Sequence, residues 1–261
     1  MVSGPERDRN LLKAVVALLN SELAQYYFFL TSASWGVERE EIKAGEMKTI
    51  PFPFSTLNEE QIATIAHFVD RLARLVIIPH DLREEEELER ELNNYIYKCF
   101  LLNEQEIQHI RETIEYTIKF FNSPEKSLAL QKPVAEMRIS YAQAYIKSIN
   151  FYLQAVDRKL TGIVYAEEVI PLLTVEFSLN MQGANIPVIQ EAEPDEDMHL
   201  VLKNLDELSI ETLPRRIYHR RNFRVYSDEG TTLYVVKPAE RRLWTIGAAL
   251  SDAEETIADL M

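Results

Sequence analysis

Cysteine is almost missing, with Cys99 the single one in 261 residues. That excludes an internal disulfide framework and a cysteine-based zinc site, and it suits a reducing compartment such as the cytoplasm. Cys99 lies in the apolar helical run Tyr95-Ile96-Tyr97-Lys98-Cys99-Phe100, where a thiol is expected to fill core space rather than act as a nucleophile. Glycine is scarce too: there are seven, none in a Gly-x-Gly pair, and no two prolines are adjacent. No Gly-x-Ser-x-Gly elbow supports serine catalysis. No apolar run reaches the roughly 18 residues that a membrane span requires. The opening Met1-Val2-Ser3-Gly4-Pro5-Glu6 is polar and short, unlike a signal peptide, so a cytoplasmic location without a membrane partner is expected.

Positive charge is the scarcer sign. Twenty-eight Lys and Arg against 42 Asp and Glu leave −14, which argues against broad, nonspecific nucleic-acid binding. The balance is uneven. Pro214 to Arg242 carries eight bases against three acids, and the tail from Leu243 carries four acids and no base. One basic island thus sits in an acidic protein.

What is present reads first as helix. Leu12, Val15, Leu19, Leu23, Tyr26 and Leu30 form a stripe at three-to-four spacing, which predicts one helix over Leu11–Leu30. Asn58 with Gln61 is a capping box before the stripe Ile62, Ile65, Phe68, Leu72, Leu75, and Pro79 stops that helix. A charged helix starts near Leu82 and turns apolar at Tyr95–Leu102. Asn103 with Glu106 opens another, ended by Asn122-Ser123-Pro124. The stretch Pro124–Pro133 has no periodicity and marks the boundary between a region 1–125 and a region 134–261.

In the second region, Ser140 with Gln143 predicts a helix start. After Gly162 the period becomes two: Leu173, Val175, Phe177 and Leu179 alternate with Thr174, Glu176 and Ser178, as in a half-buried strand, and Ile163–Val169 is its partner. Asn180–Asp197 reads as loop and Met198–Leu208 as a short helix. Ile217–Tyr226 and Thr232–Val236 read as a hairpin, and Ser251 with Glu254 as the start of a final helix. The fold class expected is α+β: an N-terminal helical part, then a mixed part with a small antiparallel sheet of about four strands and flanking helices.

Leu18 to Phe54, LLNSELAQYYFFLTSASWGVEREEIKAGEMKTIPFPF, resembles the distal end of the target-recognition region in adenine-N6 DNA methyltransferases and restriction-modification enzymes. There a helix of the form LLNS-x-L…YYF leads to a short L/I-P-x-P segment, matched here by Ile50-Pro51-Phe52-Pro53. Leu88 to Phe121 is similar to the segment that follows, with Ile96, Phe100, Leu102, Asn103, Glu106 and Ile110 on its pattern. The end, Tyr234–Pro238, Arg241–Trp244 and Ala248–Glu254, looks like the C-terminus of large methylase or phage-defence proteins. The resemblance spans residues 10–260 and omits the family's chemistry. Adenine methylation needs a glycine-rich loop for its methyl donor and an Asn/Asp-Pro-Pro-Tyr/Phe turn, and neither is here. It therefore implies a chain without catalytic residues, cofactor or activity of its own. The implied role is a recognition or scaffolding piece of a restriction-modification or phage-defence system. Its partners would be duplex DNA and a methyltransferase or other defence-system subunit. The alternative is a protein-interaction module that never touches DNA, which the charge of −14 favours.

Other constellations carry less. Glu41-x-Lys43 and Glu46-x-Lys48 resemble half of a metal-dependent nuclease site but lack the upstream Pro-Asp strand, and read as surface charge. His67, His80, His109, His199 and His219 have no metal-ligand spacing, so no metal is expected. On a strand, Tyr218, Arg220, Asn222, Arg224 and Tyr226 share one face, which suits phosphate contacts or is a solvated face paired with local acids. The expected DNA-binding set is Tyr218, Arg220, Arg221, Arg224, Lys237, Arg241 and Arg242. Tyr26-Tyr27-Phe28-Phe29 is apolar on all sides, so that helix is buried all round or covered by a partner. The expected partner-docking set is Leu23, Tyr26, Tyr27, Phe28 and Trp35, with Trp35 either pinning a turn or touching DNA or a partner.

Overall fold

The computed structural model describes residues 4–32, 44–51, 56–75, 82–165, 172–183, 187–193, 196, 200, 203, 222–227 and 230–260. It is α+β, as expected, and divides into two compact units, Met1–Lys126 and Ser127–Met261.

The first unit is helical. The stripe expected to form one helix over Leu11–Leu30 is cut in two, α1 (Arg9–Leu19) and α2 (Glu22–Thr31). Local chemistry makes the cut. The Ser21 hydroxyl donates to Leu18 O at 2.7 Å and accepts from the Ala24 N–H at 3.2 Å, so it caps a new helix. Asn20 Nδ2 folds back on Val16 O at 2.8 Å. The bend lets the two halves take different partners. After α3 (Ala44–Met47), α1 packs on α4 (Glu59–Leu75), tied by Lys13 to Asp70 at 2.6 Å. α2 packs on α5 (Leu82–Cys99) and α6 (Glu104–Thr113). Much of its apolar surface is thereby used inside the unit, in a core of Ala17, Phe28, Ile65, Leu92 and Ile96 continued by Tyr97, Ile110 and Ile118, while Leu30 stays exposed.

Both capping boxes expected here form: Asn58 and Gln61 exchange bonds of 2.9 and 2.8 Å, and Asn103 and Glu106 bonds of 2.8 and 3.0 Å. From α6 the helical run continues through a π turn, Ile114–Ile118, into α7 (Lys119–Asn122) and stops before Ser123-Pro124, as the sequence suggests. α5 ends in a Schellman arrangement. Leu102 N–H donates to Tyr97 O and Leu101 N–H to Lys98 O, both at 3.1 Å, with Leu101 in the left-handed region at φ 56°.

The second unit is a sheet with two helices on one face. α8 (Ala135–Leu153) starts after Pro133 with Val134 as its cap, so Ser140 lies in its interior and opens nothing. β1 (Arg158–Tyr165) starts before Gly162 and pairs antiparallel with β2 (Leu172–Met181). Part of the expected loop is in fact a strand: β3 (Ile189–Ala192) adds parallel to β1. β4 (Phe223–Tyr226) and β5 (Thr232–Pro238) form the expected hairpin over its described part. The sheet is therefore mixed, in the order β3-β1-β2-β5-β4, rather than wholly antiparallel. α9 (Ile246–Leu260) starts earlier than expected, with Thr245 Oγ1 accepting from the Ala248 N–H at 3.0 Å, so Ser251 is interior as well.

α8 and α9 bury Tyr141, Tyr145, Ile146, Trp244 and Ala253 against Val164, Val175, Phe177 and Val235. α8 comes so close to β1 that a Cβ on Gly162 would lie 3.0 Å from Ile146 Cδ1. β2 is not half-buried throughout: Thr174, expected to face solvent, is 3% exposed. Met198, His199, Trp35, Pro79, His80 and residues 166–171 lie outside the described residues.

Candidate functional site

Of the described docking candidates, Phe28 is buried and Leu23, Tyr26 and Tyr27 are half-buried. Phe28 is 1% exposed in the core, and Leu23 bridges the two apolar clusters of the helical unit. Tyr26 packs edge-on against His109 at 5.8 Å, and the Tyr27 hydroxyl donates to Thr49 O at 2.9 Å. These side chains make contacts within their own unit, while Leu30 on the same helix is 60% exposed. Trp35 lies outside the described residues.

What the break at Asn20-Ser21 does open is a cleft of about 930 Å³, reaching from the end of α1 across α4 and α5 to α6 and the π turn. Its apolar part comes from Ala17, Leu72, Leu92 and Ile114. Six carboxylates line it, Glu22, Glu85, Glu86, Glu89, Glu112 and Glu115, against three cations, Arg90, Arg111 and Lys119. The cations are engaged locally. Arg90 pairs with Glu87 at 3.4 Å and Lys119 with Glu115 at 2.5 Å. Arg111 donates to Asn94 Oδ1 at 2.5 Å and lies 5.7 Å over the Tyr97 ring.

Two of the acids are held from inside. The Tyr97 hydroxyl donates to Glu22 at 2.5 Å, and Gln108 Nε2 donates to the buried Glu112 at 2.9 Å. Burial, then the Glu22 bond, pushes the Tyr97 hydroxyl far above its ordinary value. Glu86 and Glu89 have no ion-pair partner among the described residues. Partial burial pushes the Glu89 carboxyl above its ordinary value, and the Glu85, Glu86 and Glu22 carboxylates push it the same way. An apolar strip under crowded acids suits a cationic, partly apolar ligand.

The proposed DNA contacts fare differently. Lys237 is 1% exposed, ion-paired to Asp252, and seated 4.6 Å over the Tyr141 ring. It is a core residue and offers no charge to a phosphate. Asp252 is a hub, also taking the Tyr141 hydroxyl and Asn222 Nδ2, each at 2.5 Å. Arg224 pairs with Asp259 at 3.0 Å and Glu255 at 3.5 Å. Asn222 and Arg224 do share a face, as expected, but it is the face that α9 covers. Arg241 and Arg242 tie down the segment entering α8: their N–H groups donate to Gln131 O and Ala129 O at 2.8 and 3.1 Å. Arg241 Nε also donates to Lys132 O at 3.0 Å, and Arg242 Nε to Glu240 at 2.7 Å. Tyr218, Arg220 and Arg221 lie outside the described residues.

The remaining candidates are quiet. Burial raises the Cys99 thiol, which packs beside the helical core. Glu46 accepts from the Ser32 hydroxyl at 3.0 Å, while Glu41 and Lys43 lie outside the described residues. Among the described residues no group of His, Cys, Asp or Glu is arranged to hold a metal ion, and no helix is long and apolar enough to cross a membrane. No protein-family model, curated protein or solved structure matches the chain.

Proposed function

We propose that this chain is a partner-binding scaffold module whose helical unit receives a cationic, amphipathic segment of another chain in the cleft between α1 and α6. One observation carries the reading: Glu86 and Glu89 stand beside an apolar strip, and no cation among the described residues pairs with either. A bound Lys or Arg side chain relieves their mutual repulsion, and its stem covers the apolar strip. The family resemblance makes a methyltransferase or other defence-system subunit the first partner to try. Duplex DNA is the rival ligand, weakened by the internal engagement of Lys237 and Arg224.

Fluorescence anisotropy with a labelled Lys/Leu amphipathic peptide, and in parallel with a labelled duplex, tests the reading. The parent should bind the peptide saturably and more weakly as salt rises. Glu86→Lys with Glu89→Lys should weaken it by at least about tenfold. Reversing the exposed Glu59 and Glu60, which do not line the cleft, should leave it unchanged. Equal binding by the two double variants would show that only net charge matters. Tighter binding of the duplex than of the peptide would restore the DNA reading.

A further inference from the structure

Independently of the cleft, the sheet unit contains a charge that its described residues do not complete. Arg138 is one turn inside α8 and 7% exposed. Among the described residues its one hydrogen bond runs from Nη1 to Tyr165 O, at 2.6 Å. Its Nε is buried without a hydrogen-bond partner, and no acid among the described residues pairs with it. A guanidinium does not shed its proton in a protein, so the charge stays in place. A buried, unpaired charge is strongly unfavourable until an anion meets it.

The position of the vacant donor fits an oxyanion. Nη1 is taken by the carbonyl, and Nε belongs to the side edge of the fork, the edge that binds two oxygens of a carboxylate or phosphate. α8 runs antiparallel to β1: near its end Asn150 bonds both Leu160 N and Leu160 O, at 2.6 and 3.2 Å, and near its start Arg138 reaches Tyr165. The guanidinium therefore lies at the end of the sheet where α8 begins. α8 has 19 residues, and no side chain caps its N-terminus. Its first N–H groups and the positive end of its dipole favour an anion there. Arg241, bonded to Lys132 O, adds a cation to the segment that enters the helix. Among the described residues, the acids of this segment are the exposed Glu136 in the first turn and Glu240, which holds Arg242; Glu167 and Glu168, which follow Tyr165 in the sequence, lie outside them.

We propose that the start of α8 is a site for a single oxyanion group, phosphate or carboxylate, of a small ligand, with Arg138 as its side-on partner. Titration of the whole chain with inorganic phosphate and with acetate, at constant ionic strength against chloride, tests it and separates the two ligand sources. The parent should melt higher as one of the two is added, and the rise should saturate. Arg138→Met should lose that response. In chloride it should melt no lower than the parent, because an apolar side chain replaces an uncompensated charge. Arg138→Lys, which keeps the charge but not the fork, should bind at least about tenfold more weakly. If Arg138→Met fails to fold, the Nε–Hε NMR signal of Arg138 in the parent gives the answer, since it should shift saturably with the anion. An unmoved signal, no saturable response to either anion, or an unchanged response in Arg138→Met would overturn the proposal.

Discussion

In the sheet unit the basic island meets the acidic tail: Arg224 holds Glu255 and Asp259, and Lys237 holds Asp252. In the helical unit, Glu86 and Glu89 line a cleft and no cation among the described residues pairs with either. The first arrangement is charge used as internal architecture, and the second is charge left for something else. The sequence shows both as patches of one sign. The difference lies in whether the fold brings the opposite sign to them, and only the second case speaks for a ligand.

The largest expected effect tests the architectural half. Asp252 takes Lys237, the Tyr141 hydroxyl and Asn222, all part-buried or buried. Asp252→Ala takes from the buried Lys237 ammonium the carboxylate it is paired with, a loss of about 3–5 kcal/mol for a broken buried pair. Hydrogen exchange of β5 and α9 amides should speed up accordingly. Adding Lys237→Met to Asp252→Leu should recover much of the loss, because the charge and its need for a partner leave together. If Asp252→Ala exchanges like the parent, the pair contributes little to the stability of this unit.

The fold was legible where signals are local. Asn58 and Asn103 cap as expected because a capping box needs four residues and nothing else. The same pattern misleads at Ser140 and Ser251, where Pro133 and Thr245 have already set the helix starts upstream. The stripe from Leu12 to Leu30 runs through a real break, because Ser21 caps locally while the apolar spacing continues across it. β3 was hidden since an edge strand of four residues beside Pro and acid carries little alternation. At the site level, the alternation of Asn222 and Arg224 was readable, but their side of the sheet was not. A cue was present: a basic island followed at once by a tail with four acids and no base. The cleft had no such cue, because its carboxylates come from α2, α5, α6 and the π turn, which only tertiary packing brings together.

A middle-sized effect isolates the stability of the helical unit from its charge. Leu101 closes α5 in the left-handed region at φ 56° and is 89% exposed, so its side chain contributes little packing. A non-glycine residue there costs about 1–2 kcal/mol. Leu101→Gly should recover roughly 1 kcal/mol, net of the greater freedom of glycine in the unfolded chain. Slower exchange of α5 amides would show it, with no change in peptide affinity. A loss of stability would mean that Leu101 is covered in solution.

The smallest effect bears on the cleft itself. Glu89 has a carboxyl raised above the ordinary glutamate value of 4.5, first by burial and then by Glu85, Glu86 and Glu22. A raised acid binds its proton more tightly folded than unfolded, so it favours the fold at low pH, and that advantage fades as pH climbs from 4.5 through the raised value. Above that window the ionised Glu89 is a small burden on the helical unit. Glu89→Gln should therefore melt slightly higher than the parent at neutral pH, and the gap should close as pH falls below 4.5. Added salt should shrink the part owed to neighbouring carboxylates and spare the part owed to burial. The bound cationic peptide should invert the effect, because a Lys or Arg beside Glu89 favours its ionised form. With peptide present, the parent should then melt higher than Glu89→Gln at neutral pH. If Glu89→Gln keeps its advantage at saturating peptide, the cation sits away from Glu89. The acid-lined cleft would then be a surface whose charge serves no ligand.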